Sequence, residues 1–434
     1  VLNTLSEGHI AFLKARRTAL QQTAELIAMQ TEAAEQMMLE AGGKNQKPRA
    51  KNQAVHHVSR FSSPLFDKEQ LHEFATGDVT ACFGPAYAHY RGQRIPRLPN
   101  GDLTLVSRVL HVDGTPGKVE VGASLLSEYD VPSNAWFYRD HAALPTSVLM
   151  EIALQPCGVL STYLGSILPY PDVDFYFRNL DGEAELLRDV DARGKTIANH
   201  TRLLSSDTLP GIMLQKFAFE LSCDGVPFCR VTSSFGYFAP EAMQRQAGLD
   251  NGTARQPWLS TNFDGNPKPT LSVQSVELKR THQLDLLDKA RIVPDGGEYG
   301  RGYVYAEVPV SPDDWFFACH FYEDPVMPGS LGVEAMVQAL HTYAARQGLA
   351  RHPRAPHPAS SSWPAVMRES YSRQKPRLRW KYRGQVPPER DRLRLEVHVS
   401  DVQITPDTVT LTGDGSLWKG NLRIYEVKGI KIWE

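Results

Sequence analysis

The chain has 434 residues, 41% of them hydrophobic, and a formal charge of -2 at pH 7. That length allows two or three domains with proper cores, and the near-neutral charge gives no argument for a nucleic-acid partner. No apolar run reaches the roughly 18 residues a membrane span needs, and a polar, charged N-terminus in place of an apolar signal core argues against secretion and for a cytoplasmic protein.

From 5 to 41 the chain is rich in Ala, Gln, Glu and Leu until Gly42-Gly43 stops it. Leu13, Leu20 and Ile27 recur at helical intervals, which predicts one long amphipathic helix. The stretch 44–63 is polar and basic and reads as a flexible, solvated tether. From Phe66 the pattern turns globular. Strands are expected at 103–112 and 118–126 around Asp113-Gly114, a hairpin signal. A helix at 146–164 follows, then strands at 196–204, 211–222 and 228–237. The order then recurs: a strand at 286–292, a turn at Pro294–Gly297, a strand at 302–310, a helix at 331–346, and strands at 378–385, 393–404, 408–418 and 421–432. Cys82, Cys157, Cys223, Cys229 and Cys319 lack CxxC spacing and read as free thiols of a reducing compartment, not as a zinc site. The start at Val1 instead of methionine leads us to expect a piece of something larger.

The recurrence is the main organisational signal. WFFACHFYEDPVMPGSLGVEAMVQ at 315–338 has a weaker copy, WFYRDHAALPTSVLMEIALQ, at 136–155. Each carries an aromatic approach to a histidine (His320, His141), then proline, a helix start, and ExxxQ (Glu334 with Gln338, Glu151 with Gln155). The loop from histidine to proline is four residues shorter in the first copy. Two units, each one helix wrapped by an antiparallel sheet, would pair as a dimer within one chain: an α+β double hot-dog. The expected domains are a helix at 1–43, a linker at 44–65, a first hot-dog at 66–240, an inter-unit linker at 241–270 and a second hot-dog at 271–434.

The motif suits removal of a proton next to a carbonyl with loss of a β-hydroxyl as water. An imidazole has roughly the right basicity, which makes His320 the base. A carboxyl in an apolar tunnel has its pKa raised and can protonate the leaving oxygen. A helix start offers unpaired N–H groups to a developing oxyanion, which assigns that task to Gly329 and Ser330. Cys319 reads as a packing residue and the other histidines as solvent-exposed. Gln155 and Gln338, one turn beyond each glutamate, either hold these carboxyls or fill space.

At these residues the chain resembles a family. HFxxDPVMPGxLGxxAMxQ at His320–Gln338 and KYRGQVPP at Lys381–Pro388 are similar to the β-hydroxyacyl-acyl-carrier-protein dehydratase/isomerase of fatty-acid synthesis. With CFGP at Cys82–Pro85, RIPRLPNGDL at Arg94–Leu103 and FGYF at Phe235–Phe238, the whole chain resembles the dehydratase region of a bacterial polyunsaturated-fatty-acid synthase, a large multidomain polyketide-type enzyme. It departs from the pattern in two ways: glutamate stands where the stand-alone enzyme has aspartate, and the first copy has Thr146 and Ser147 after Pro145, without DPVM or the glycine. The resemblance implies dehydration of 3-hydroxyacyl chains on acyl carrier protein to trans-2-enoyl products, and leaves double-bond isomerisation open. Partners would be the carrier protein, its phosphopantetheine arm and the other synthase domains, with a homodimer allowed; basic residues such as Arg377, Arg379 and Lys381 are candidates to meet the acidic carrier. No metal, nucleotide or flavin is implied. In the resembled homodimer, base and acid of one site come from different subunits. Carried into a fused pair, His320 would meet Glu151 and His141 would meet Glu334, the latter a weaker second site, although Glu334 stays open as the working acid. Two rivals remain at this stage: an acyl-carrier thioesterase, and a non-catalytic scaffold or chain-length gate.

Overall fold

Alternating apolar residues dictate the strands, and burial follows the alternation, as in Ile212–Cys223, where every second side chain is buried. The computed structural model describes residues 63–433 apart from 93, 140, 142, 210, 244–245, 264–271, 350–376 and 407. The expected N-terminal helix and nearly all of the basic tether lie outside the described residues.

Among the described residues the first unit contributes β1 (Arg108–Asp113), β2 (Ser124–Asp130), β3 (Tyr176–Leu186), β4 (Thr196–Leu209), β5 (Ile212–Cys223) and β6 (Val226–Phe238). The second contributes β7 (Gln274–Glu277), β8 (Lys289–Val293), β9 (Tyr303–Val310), β10 (Arg377–Tyr382), β11 (Asp391–Ile404), β12 (Val409–Lys419) and β13 (Leu422–Trp433). They form one sheet in the order β1-β2-β4-β5-β6-β3-β10-β13-β12-β11-β9-β8-β7. The order reads alike from β3 outward and from β10 outward, so the sequence repeat becomes a pseudo-twofold about the antiparallel β3–β10 seam. There Gly182 faces Trp380, whose Cζ2 lies 2.3 Å from where a Cβ would stand. Only a bare backbone lets that indole close the seam.

Among the described residues four helices exceed one or two turns: α1 (Lys68–Thr76), α2 (Thr146–Leu154), α3 (Pro156–Tyr163) and α4 (Gly329–Arg346). α4 is buried on all sides from Ser330 to Ala344, as a helix wrapped by a sheet must be. This is the double hot-dog.

Several elements differ from the sequence reading. The helix expected over 146–164 is broken at Gln155, because Pro156 has no N–H and its ring would collide with a helical carbonyl. β1 and β2 pair, but the loop between them runs from 114 to 123 and is not a tight Asp-Gly hairpin. β3 and β7 were not foreseen. Part of the stretch read as an inter-unit linker lies along the second unit: Leu249 N–H donates to Arg423 O and Trp258 N–H to Glu396 Oε2. All five cysteines are buried and free. His341 and His398 are buried, not solvent-exposed; His398 Nδ1 accepts from Glu298 N–H and its Nε2 stands 3.3 Å from Glu396 Oε1.

Candidate active site

The two central helices place each glutamate at the start of the opposite helix. Ser330 Oγ, in the first turn of α4, donates to Glu151 Oε1 at 2.7 Å across the units. Reciprocally, Ser147 N–H, in the first turn of α2, donates to Glu334 Oε2 at 3.1 Å. The glutamines anchor the same helices symmetrically. Gln155 accepts from Leu105 N–H and donates to Leu103 O; Gln338 accepts from Leu286 N–H and donates to Leu284 O. Gln155 also donates to Glu151 Oε2 at 3.2 Å, so it both anchors the helix and holds the carboxyl.

His320 caps the short helix Trp315–Cys319, and the chain then turns back on itself. Val326 N–H donates to His320 O, while His320 Nδ1 lies 2.8 Å from Val326 O. A carbonyl can only accept, so Nδ1 carries the proton and the lone pair of the neutral ring sits on Nε2. His320, Glu151, Gly329 and Ser330 line one cavity of about 310 Å³, walled by Met150, Leu154, Phe177, Phe235 and Tyr425. The apolar wall explains the electrostatics. Burial pushes the His320 pKa down to about 3, with the nearby Arg178 cation adding to it, while Val326 O opposes. Burial pushes the Glu151 carboxyl up, against the bonds from Ser330 and Gln155. Near neutral pH the cavity therefore holds a neutral imidazole, while burial favours a protonated carboxyl opposite it.

Gly329 and Ser330 are the first two residues of α4, where N–H groups have no intrahelical acceptor. The need for glycine has a further cause: a Cβ on Gly329 would stand 2.6 Å from Tyr382 Cε2. The Tyr382 ring, which also lines the cavity, thus packs where a Gly329 side chain would stand, a contact the sequence reading missed. His141 and Glu334 are buried at the pseudo-equivalent place, but neither lines the cavity. Arg377 and Arg379 are exposed and ion-paired with Glu183. Arg178 and its pairing with Asp324, the aspartate of the DPVM motif, were also missed. Their bidentate ion pair spans 146 residues of sequence, and no local pattern marks such a partner. No group of three or more His, Cys, Asp or Glu among the described residues could hold a metal.

A sheet shared by two central helices, with an imidazole from one unit and a carboxyl from the other on a single cavity, defines a double hot-dog with a composite site. Residues 278–428, the bulk of the second unit, match the FabA-like domain. Over 392 residues the chain is 37% identical to a polyunsaturated fatty acid synthase polypeptide of Thraustochytrium sp. (strain ATCC 26185 / S-3), a match covering 83% of this chain and 25% of the relative. The chain thus spans about a quarter of that relative's length. The likeness read from the motifs is therefore present over most of the chain. Among solved structures, an acyl-ACP thioesterase from Bacteroides thetaiotaomicron VPI-5482 covers 72% of this chain and 98% of its own, at 11% identity and a TM-score of 0.36. A MaoC-like dehydratase covers 72% and 97%, at 10% identity and a TM-score of 0.35. No helix among the described residues is long and apolar enough to cross a membrane.

Proposed function

We propose that the chain is the dehydratase region of a polyunsaturated-fatty-acid or polyketide-type synthase, acting on 3-hydroxyacyl chains held by acyl carrier protein. The observation that carries this reading is the pairing of His320 and Glu151 on one apolar cavity, shifted in opposite directions by burial. His320 Nε2 takes the proton from C2, and the electrons of that C–H bond move toward the thioester carbonyl, whose oxygen gathers negative charge. The Gly329 and Ser330 N–H groups and the positive end of α4 stabilise that oxygen. The Glu151 carboxyl gives its proton to the C3 hydroxyl, the C3–O bond breaks, water leaves, and the electrons return to form the trans C2=C3 bond. The site is left as imidazolium and carboxylate, and one proton moved back through solvent resets it. The side chains suffice for each step, so the reaction as drawn asks for no cofactor. The partners are the carrier protein with its phosphopantetheine arm and the rest of a cytoplasmic synthase.

The test is turnover of a 3-hydroxyacyl thioester by wild type and by His320→Ala, Glu151→Gln, His141→Ala and Glu334→Gln. Each of the first two should lose at least about a hundredfold in kcat, while the last two keep most of the activity. Dead Glu334→Gln beside active Glu151→Gln would overturn the pairing. Free acid as product would instead mark a thioesterase, and an unaffected His320→Ala would mark a scaffold.

A further inference from the structure

The imidazole of His320 is only as well placed as the turn that follows it. Phe321 N–H donates to Asp324 O at 3.1 Å and Asp324 N–H to Phe321 O at 3.2 Å; the turn then delivers Val326 O to His320 Nδ1. These bonds are all within the second unit. Two cations of the first unit reach the turn from outside: Arg97, 5.8 Å over the Tyr322 ring, and, with the closer polar grip, Arg178 on β3. Its Nη1 and Nη2 donate to the two oxygens of Asp324, both at 2.7 Å, its Nε to Gln385 Oε1 at 3.0 Å, and Nη1 also to Phe177 O at 3.0 Å. Four of its five N–H groups are thereby committed. The pair is nearly dry, with side chains 13% and 14% exposed, and in such surroundings the fork fixes orientation as well as charge.

The pseudo-equivalent Arg383 shows what the first unit lacks. It too donates Nη1 to the preceding carbonyl, Tyr382 O, at 2.8 Å, but its other contacts are Leu180 O and Asp181 on the neighbouring strand. Between His141 and Pro145 the sequence is Ala-Ala-Leu, so no aspartate is available there to be gripped.

We propose that Arg178 is a positioning residue for His320: by clamping Asp324 it holds the turn that aims Nε2 into the cavity, and it makes the base of the second unit depend on a strand of the first. This rests on the reading of His320 as the base. The same guanidinium, at its present distance, also disfavours a charged imidazole, which keeps the ring ready to accept a proton.

The experiment compares Arg178→Gln, the isosteric Asp324→Asn, and the double variant, in the intact chain. Two measurements are made: kcat and KM on a 3-hydroxyacyl thioester of acyl carrier protein, and the ¹⁵N-edited spectrum of the free protein, with the His320 ring assigned by its loss in His320→Gln. Each single change should lower kcat about 10- to 100-fold with KM within about twofold, and the double should be no worse than the worse single. The protected His320 Nδ1–H signal should broaden or vanish in both while Asp324→Asn still melts cooperatively. Losses that multiply in the double, or that fall on KM alone, would overturn the proposal; so would an unchanged Nδ1–H signal in Asp324→Asn. If wild type turns over no 3-hydroxyacyl substrate, the proposed function fails, and the spectrum alone decides the clamp.

Discussion

The neutral imidazole of His320 has a thermodynamic cost that can be measured without any substrate. Its folded pKa is near 3 against 6.5 for an unhindered side chain, so the unfolded chain takes up a proton that the folded chain refuses. For a depressed pKa, stability is fully present above 6.5 and is lost as pH falls toward 3. At pH 5 the unfolded ring is 1.5 units below its own pKa and the folded ring is still neutral. At 1.36 kcal/mol per unit the loss is about 2 kcal/mol. Glu151 acts with the opposite sign, since its raised pKa favours the folded state at low pH and withdraws that favour as pH rises. A difference measurement removes it. Urea unfolding of wild type and His320→Gln at pH 8 and pH 5 should show wild type losing about 2 kcal/mol more than the variant. Equal losses in the two proteins would mean that the folded ring charges as readily as a free one, and the argument for a desolvated base would collapse.

Two further outcomes follow from space rather than charge. Gly329→Ala sets a methyl group 2.6 Å from the Tyr382 ring and should cost about 1–3 kcal/mol in thermal unfolding; a second change, Tyr382→Leu, should recover most of it. Gly158 lines the apolar end of the cavity, its Cβ position 4.0 Å from Phe177 Cε1, so Gly158→Leu should fold yet shorten the space. In a competition assay its kcat/KM for long acyl chains should fall at least on the order of tenfold relative to short ones, whereas a uniform loss would place the acyl tail elsewhere.

What could be read from the sequence was what repeats or alternates. The two histidine-to-glutamine segments announce two like units because histidine, proline and glutamate keep their order and the helix keeps its register. β5 stands out through buried residues at every second position, and β6 and β12 keep that alternation through their middles. β3 does not: all its residues are only partly buried, and FRNLDGEAEL carries no apolar period, because this strand is a seam and not a wall. Pro156 was visible as a breaker, yet the apolar run through it masked the break. The Arg178–Asp324 pair was hidden for a different reason: Asp324 stands in the DPVM motif, but Arg178 alone looks like a solvated charge and only the fold brings the two together. The burial of His341 and His398 was missed likewise, through neighbours far off in the chain.

The broken helix of the first unit says something about tandem enzymes in general. Two separate, identical subunits must accept every mutation twice, at both ends of their symmetry axis. Once joined by peptide bonds they can drift apart, and here one half kept an unbroken rod while the other took a proline at Pro156 and a glycine two residues later. Counted from the two glutamines, Gly158 lines the cavity where the unbroken rod carries the buried His341, and Cys157 stands where it carries Leu340. A swap of 155–158 with its counterpart 338–341 would therefore be a way to ask whether covalent fusion was the event that let one binding chamber deepen while the other closed.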